Sequence, residues 1–233
     1  MEVFCEGYSR RDQGRRGSCA NFAVLAAYEG NNAIRNNTVV DGSEQRLLSC
    51  APANCTGARS TDIAQYMVTT GTSTEAAYPY TATNSACNAA TTTPFRAITR
   101  DFVGANIANP AVRELKNALC TYGPITTVVR ATPTFMAYSS GIFNEASNQE
   151  VDHSVTIVGW DNSNGGYWII KNSYGTGWGE DGFGRIAWGS NGIGQWSHWI
   201  QAPLSALNIN PREWRRILKK RRIPVTNRFI RRL

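Results

Sequence analysis

The chain changes character near Gly123, and that change limits its fold more than any other feature of the 233 residues. Before it, Cys19 to Asn36 reads CANFAVLAAYEGNNAIRN, rich in Ala with apolar residues at Phe22, Leu25, Ala26 and Tyr28, the stagger of a largely buried helix. Ser43 to Ser49 and Arg59 to Thr69 predict two shorter helices, the second with Ile63, Tyr66 and Met67 along one side. The stretch after Thr70 lacks periodicity and reads as loop, and Asn109 and Pro110 then open a helix with Val112, Leu115 and Leu119 at core spacing. Beyond Gly123, four short β-branched or aromatic runs are broken by turn signals such as DNSNGG: Ile125 to Val129, His153 to Trp160, Tyr167 to Lys171 and Gly184 to Trp188. A helical half followed by an antiparallel β half predicts an α+β fold, with an active site in the cleft where the two meet. The halves are expected over about 10–108 and about 109–202, with 203–233 a separate tail.

Charge supports that division. The net charge of +7 suggests a nucleic-acid protein until it is divided along the chain. Met1 to Ile209 carries 14 Lys/Arg against 16 Asp/Glu, net −2, whereas Asn210 to Leu233 carries 10 against 1, net +9. The basicity is a tail. Within it Trp214, Ile217, Leu218 and Arg221 share one helical face, the pattern of a basic amphipathic helix suited to an anionic membrane, nucleic acid or an acidic protein. A solvated extension without function is the simpler reading of the same residues. No window approaches the run of apolar residues that spans a bilayer, and Met1 to Cys19 is too polar for the apolar core of an export signal.

The cysteines Cys5, Cys19, Cys50, Cys55, Cys87 and Cys120 lie too far apart for the paired thiols of a structural zinc site, and only His153 and His198 could assist them. No metal or other cofactor is expected. The even number allows three disulfides, or one special thiol with bridges and leftovers. Asn36-Asn37-Thr38 and Asn54-Cys55-Thr56 satisfy the glycosylation sequon, a pattern short enough to be commonly unused.

The surroundings of Cys19 point to the special thiol. Asp12-Gln13-Gly14-Arg15-Arg16-Gly17-Ser18-Cys19 places a glutamine six residues before a cysteine that opens a helix. Such a cysteine has a thiolate favoured by the helix N-terminus and an amide donor within reach of the oxyanion formed on attack. Far downstream lie His153 in VDHSVTIVGW and Asn172 in YWIIKNSYGTGWGEDGFGRI. These segments, with DQGxxGSC and with SEQ followed by a cysteine, resemble the papain and cathepsin cysteine proteases in order and spacing over about Asp12 to Ala202.

The resemblance implies the two-domain papain-like fold, with a helical left domain and an antiparallel β-barrel-like right domain. It implies Cys19 as nucleophile, His153 as general base and acid, Asn172 as the group that orients the imidazole, and Gln13 as oxyanion donor. It further implies a Cys50 to Cys87 disulfide, with the pairing of Cys5, Cys55 and Cys120 left open. By matching position, substrate would meet Gly57, Ala58, Val128, Val151, Asp152, Ser154, Tyr174 and Trp178, with Trp199 also considered for the pocket. That set favours a bulky apolar side chain two residues before the scissile bond. Protein or peptide substrates, a propeptide or protein inhibitor in the cleft, and a lysosomal, vacuolar or extracellular location go with the family.

Three departures keep a second reading open. Arg16 stands where the family usually has a cysteine, which leaves Cys55 without that mate. Ala20 and Tyr174 stand where tryptophans are usual, and Gly57-Ala58 replaces Gly-Gly where substrate backbone pairs. The rival to a thiol endopeptidase is therefore a non-catalytic papain-fold subunit or binding module, docked to a larger assembly through its basic tail.

Overall fold

A computed structural model describes residues 2–3, 11–14, 17–52 and 57–205. Arg16, Cys5, Cys55 and the basic tail from residue 206 onward lie outside the described residues. In chain order the elements are β1 (Glu2–Val3), α1 (Cys19–Asn36), α2 (Glu44–Cys50), α3 (Ser60–Thr69), β2 (Thr99–Phe102), α4 (Val112–Tyr122), β3 (Ile125–Val129), α5 (Pro133–Met136), β4 (Ile142–Phe143), β5 (His153–Asp161), β6 (Tyr167–Lys171), β7 (Phe183–Ala187) and β8 (His198–Gln201).

Helix α1 is buried on nearly every side because both halves of the molecule pack on it. Val24, Leu25 and Tyr28 join Leu47 of α2 and Ile63 and Met67 of α3 in one apolar cluster. On its other side the Ala23 carbonyl accepts the hydroxyls of Thr126 on β3 (3.3 Å) and Thr156 on β5 (3.0 Å). A buried helix carbonyl with its own helical partner can still accept further bonds through its second lone pair, and here these bonds hold the sheet to the helix. Helices α2 and α4 have side-chain oxygens over their first turns, α4 starting after Ala111 and not at the expected Asn109 and Pro110, whereas Arg59 before α3 makes no side-chain cap bond. The Ser43 hydroxyl accepts the Arg46 N–H (2.9 Å) at α2, and Glu114 accepts the Ala111 N–H (2.8 Å) at α4. Helix α4 stops at Gly123, whose φ of 79° is a conformation that residues with side chains rarely adopt.

The sheet runs β2-β8-β3-β5-β6-β7-β4, with β1 also paired to β5. It is an open path rather than a closed barrel, and its β4–β7 pairing is parallel while the other pairs are antiparallel. Its buried face carries Ile125, Val129, Val155, Ile157, Trp168 and Ile170 against Leu115 and Leu119 of α4. Four strands fall outside the runs read from the sequence: the two-residue strands β1 and β4, β2, which lies before Gly123, and β8, which follows the last apolar run. Strands β2 and β8 pair with each other, Thr99 opposite Gln201 and Phe102 opposite His198. Ile200 and Ala202 then pack with the helical cluster, so β8 joins the two cores.

Cys50 and Cys87 form a disulfide, their Cα atoms 4.7 Å apart. At the end of α1, Asn36 has its amide engaged internally. It donates to Asn32 Oδ1 (2.8 Å) and the Pro203 carbonyl (2.9 Å), and accepts from the Ser205 N–H (2.8 Å). The asparagine of the first sequon thus holds residues 203–205.

Candidate active site

Three elements bring the candidate residues together. Cys19 is the first residue of α1, His153 the first of β5, and Asn172 follows directly on β6. Register does the rest: β5 pairs with β3 at Val129↔His153 and with β6 at Thr156↔Lys171, which sets the imidazole beside the end of the neighbouring strand.

His153 Nε2 lies 2.8 Å from Asn172 Oδ1. That same oxygen accepts the backbone N–H of Ser173 at 2.8 Å, which identifies it as the oxygen of the amide. Since it can only accept, Nε2 must carry the proton, and Nδ1 is the nitrogen turned to Cys19. Burial would raise the Cys19 thiol. Hydrogen bonding to His153, the charge of His153, and the backbone and hydroxyl of Ser154 outweigh it and hold the thiol below its ordinary value. The N-terminus of α1 adds to the preference for a thiolate.

Gln13 is buried and fastened at both main chain and side chain. Its N–H donates to the Ser173 carbonyl (2.8 Å), and its Oε1 accepts the Ser173 hydroxyl (2.6 Å). With the oxygen held by Ser173, the amide's nitrogen is directed away from that contact. Asp12 bridges to Tyr174 on the same short run, and the Gly175 N–H donates to the Arg11 carbonyl (3.1 Å). The Gln13 segment is thereby tied to the loop that carries Asn172.

Aromatic rings cover the histidine. Tyr174 stacks on His153, Trp178 meets Tyr174 edge-on with centroids 6.1 Å apart, and the Trp178 indole donates to the Phe135 carbonyl (3.0 Å). Burial, with the charge of Cys19 next, raises the Tyr174 hydroxyl well above its ordinary range, so it stays neutral. Ala20 is fully buried in the helical cluster, where the small side chain is packed.

Of the residues matched to substrate binding, Val128 on β3 and Val151 before β5 are half-buried, Ser154 is buried, and Gly57 and Ala58 lie on the opposite half at the approach to α3. Asp152 is clipped in place by Arg130 (2.6 Å) and by the Ala131 N–H (2.8 Å), partners the sequence did not suggest. Trp199 does not join this group. Its ring lies flat on Tyr122 at the end of α4, 3.9 Å between centroids. The segment beside the two valines is instead Gly192 to Gln195: the Gln195 carbonyl accepts the Val128 N–H (3.4 Å), and a Cβ on Gly192 would come within 2.7 Å of Val151.

The papain family of cysteine proteases matches residues 5–202 of this sequence. The chain belongs to the papain family of cysteine proteases. It is 35% identical over 184 residues to cysteine proteinase EP-B 1 of Hordeum vulgare, covering 76% of this chain and 49% of that protein. It is 34% identical over 191 residues to cathepsin L of Sarcophaga peregrina, covering 78% and 56%. The chain spans about half the length of the curated relatives it matches. Among solved structures, digestive procathepsin L 3 of Tenebrio molitor larval midgut superposes with a TM-score of 0.79 at 28% identity, over 86% of this chain and 69% of that one. The bromelain protease of Ananas comosus, solved in complex with the E64 inhibitor, gives 0.76 at 30% identity, over 84% and 94%.

Proposed function

We propose that this papain-family chain is a thiol-dependent endopeptidase acting through a covalent acyl-enzyme on Cys19, with residues 1–202 as the peptidase unit. The observation that carries the reading is the 2.8 Å bond from His153 Nε2 to Asn172 Oδ1, made on the side of the ring away from a thiol held low by that same ring. In the reaction the Cys19 thiolate attacks the substrate carbonyl carbon, and the displaced electron pair comes to rest on oxygen. The Gln13 amide and the Cys19 N–H stabilise that oxyanion. His153, protonated at both nitrogens, gives the Nδ1 proton to the leaving amine as the C–N bond breaks. It then takes a proton from the water that attacks the thioester, and collapse of the second tetrahedral species releases the acid and restores the thiolate. Val128 and Val151 support a preference for a bulky apolar residue two positions before the cleaved bond.

An active-site-directed epoxide tests the reading. It should alkylate Cys19 far faster than the other cysteines, located by mass mapping, and block peptide hydrolysis. Uniform slow labelling would instead support the non-catalytic subunit. The family resemblance favours a lysosomal, vacuolar or extracellular site of action, with a propeptide or protein inhibitor able to fill the cleft. Localisation of a tagged full chain to the cytosol would reject that placement. The basic tail is proposed to bind a polyanionic surface without a part in catalysis. Truncation after Ile209 should leave hydrolysis of a small peptide intact and abolish low-salt retention on heparin, and co-elution with the full chain would rule the binding out.

A further inference from the structure

Both donors of the oxyanion site lie on one short piece of chain, Gln13 at its start and Cys19 at its end, and residues 14–18 include no cysteine that could brace it. Oxyanion donors are effective only when held within a few tenths of an ångström of their working positions. Something must fix the two ends of this loop relative to each other.

Tyr80, from the distant loop after α3, touches both ends. Its hydroxyl donates to the Gln13 carbonyl (3.0 Å) and lies 2.8 Å from the Ser18 hydroxyl. The proton directions follow from counting. A carbonyl only accepts, so the single phenolic proton goes to Gln13, and the Ser18 hydroxyl must donate to the phenolic oxygen. The result is a polarised chain from Ser18 through Tyr80 to Gln13.

Ser18 makes the arrangement more pointed. It stands at the N-cap of α1, where a serine hydroxyl ordinarily accepts an N–H of the first turn, yet it makes no such cap bond. Its hydroxyl is spent on Tyr80. The Asn21 N–H is met by the Ser18 carbonyl instead (2.9 Å). Among the described residues no side-chain cap bond covers the start of the helix, which leaves its positive end available to an anion.

Tyr80 is itself anchored in two further ways. Its N–H donates to Glu75 Oε1 (2.9 Å), and that oxygen is 3.2 Å from the guanidinium of Arg11, two residues before Gln13. Its ring meets the Phe22 ring of α1 edge-on, centroids 4.9 Å apart. A residue pinned to both the Arg11–Gln13 run and the first turn of α1 can set their spacing.

We infer that Tyr80 is a positioning residue for the oxyanion site, its hydroxyl holding the Gln13 strand and the Ser18–Cys19 turn at the separation that transition-state binding requires. The inference rests on the thiol-protease reading above and names a part of that same site.

The test separates oxyanion binding from thiol reactivity. A peptide aldehyde adds the Cys19 sulfur to its carbonyl carbon and moves the electron pair onto oxygen, so its affinity reports on the oxyanion donors. Iodoacetamide alkylates sulfur by displacing iodide and forms no oxyanion. Tyr80→Phe keeps the ring and removes only the hydroxyl. It should weaken the aldehyde inhibition constant and lower kcat by about 3- to 10-fold, the usual worth of one hydrogen bond, with KM and the iodoacetamide rate unchanged. Ser18→Ala breaks the chain at its other end and should produce a similar loss, and the double variant should lose little more than either single one. Unchanged aldehyde affinity in Tyr80→Phe, or fully additive losses in the double variant, overturns the inference while leaving the protease reading intact. A parent enzyme that hydrolyses no peptide removes the reading itself and the inference with it.

Discussion

Tyr174 lies nearly face to face with His153, ring centroids 4.7 Å apart and planes 25° from parallel. The phenol ring covers the imidazole whose Nε2 bonds Asn172, in a position where the family usually has an indole. A stacked pair of this kind contributes about 0.5–1.5 kcal/mol, and the ring also keeps water from competing for the Asn172 oxygen.

Tyr174→Ala should therefore lower kcat/KM by up to about tenfold, whereas Tyr174→Trp should retain or raise it. Steady-state kinetics on one peptide substrate decide the matter. Equal activity of the Ala variant and the parent would show that the cover is dispensable.

Gln13 and Asn172 should separate by their roles. Gln13→Ala removes the proposed oxyanion donor and should cost about 10²–10³ in kcat. Asn172→Ala leaves the acid–base group but frees its orientation, so it should keep measurable hydrolysis where Cys19→Ala and His153→Ala keep none. An Asn172 variant as inactive as His153→Ala would mean that the amide does more than orient the ring.

The pocket prediction rests on Val128 and Val151, backed by Gly192 and Gln195. A peptide library should show the highest kcat/KM with Leu, Val or Phe two residues before the cleaved bond. Lys or Glu as the preferred residue there would remove these valines from the specificity wall.

His198 should make the fold acid-sensitive. It is completely buried on β8, its Nδ1 lies 3.4 Å from the Trp196 carbonyl, and its Nε2 has no hydrogen-bond partner among the described residues. Burial brings its pKa down from 6.5 to about 4. Above 6.5 the ring is neutral whether folded or unfolded, and the full stability is present. As pH falls, the unfolded chain takes up the proton first, so stability declines until the folded ring titrates near 4, a total loss of roughly 3 kcal/mol. Glu29 acts in the opposite sense: burial raises its carboxyl to about 7 although the Gly42 N–H bonds it, so the stability it contributes is full below 4.5 and lost as pH rises through 7. Because the two contributions oppose each other in the parent, the test is the difference between variants: on going from pH 7 to pH 4.5 the urea midpoint of His198→Phe should fall less, or rise more, than that of the parent. Parallel changes in the two proteins would exclude a contribution from His198.

The strongly periodic segments were legible. Helix α1 and helix α4 came from apolar spacing, and β3, β5, β6 and β7 from β-branched and aromatic runs, each within a few residues of the observed ends. Strands β2 and β8 escaped because TRDF and HWIQ carry no clean alternation, and their pairing partners are distant in sequence. The expectation of a papain-like α+β fold stands, its sheet being open and not a closed barrel, with the two-residue strand β4 joined to β7 in parallel at one edge. In the site, Cys19, His153, Asn172 and Gln13 stood out through motif spacing. Ser173, Arg130 and Tyr80 did not, since each acts through a hydrogen bond to a partner far along the chain, and no local pattern marks such a bond before folding.

Asn36 closes the last turn of the same helix that Cys19 opens, and it holds the Pro203 carbonyl and the Ser205 N–H. At 1.5 Å per residue the two ends of α1 stand about 25 Å apart. The chain therefore passes Ser205 about a helix length away from Cys19, and a load carried beyond Ser205 would fall on Asn36 rather than on the proposed nucleophile.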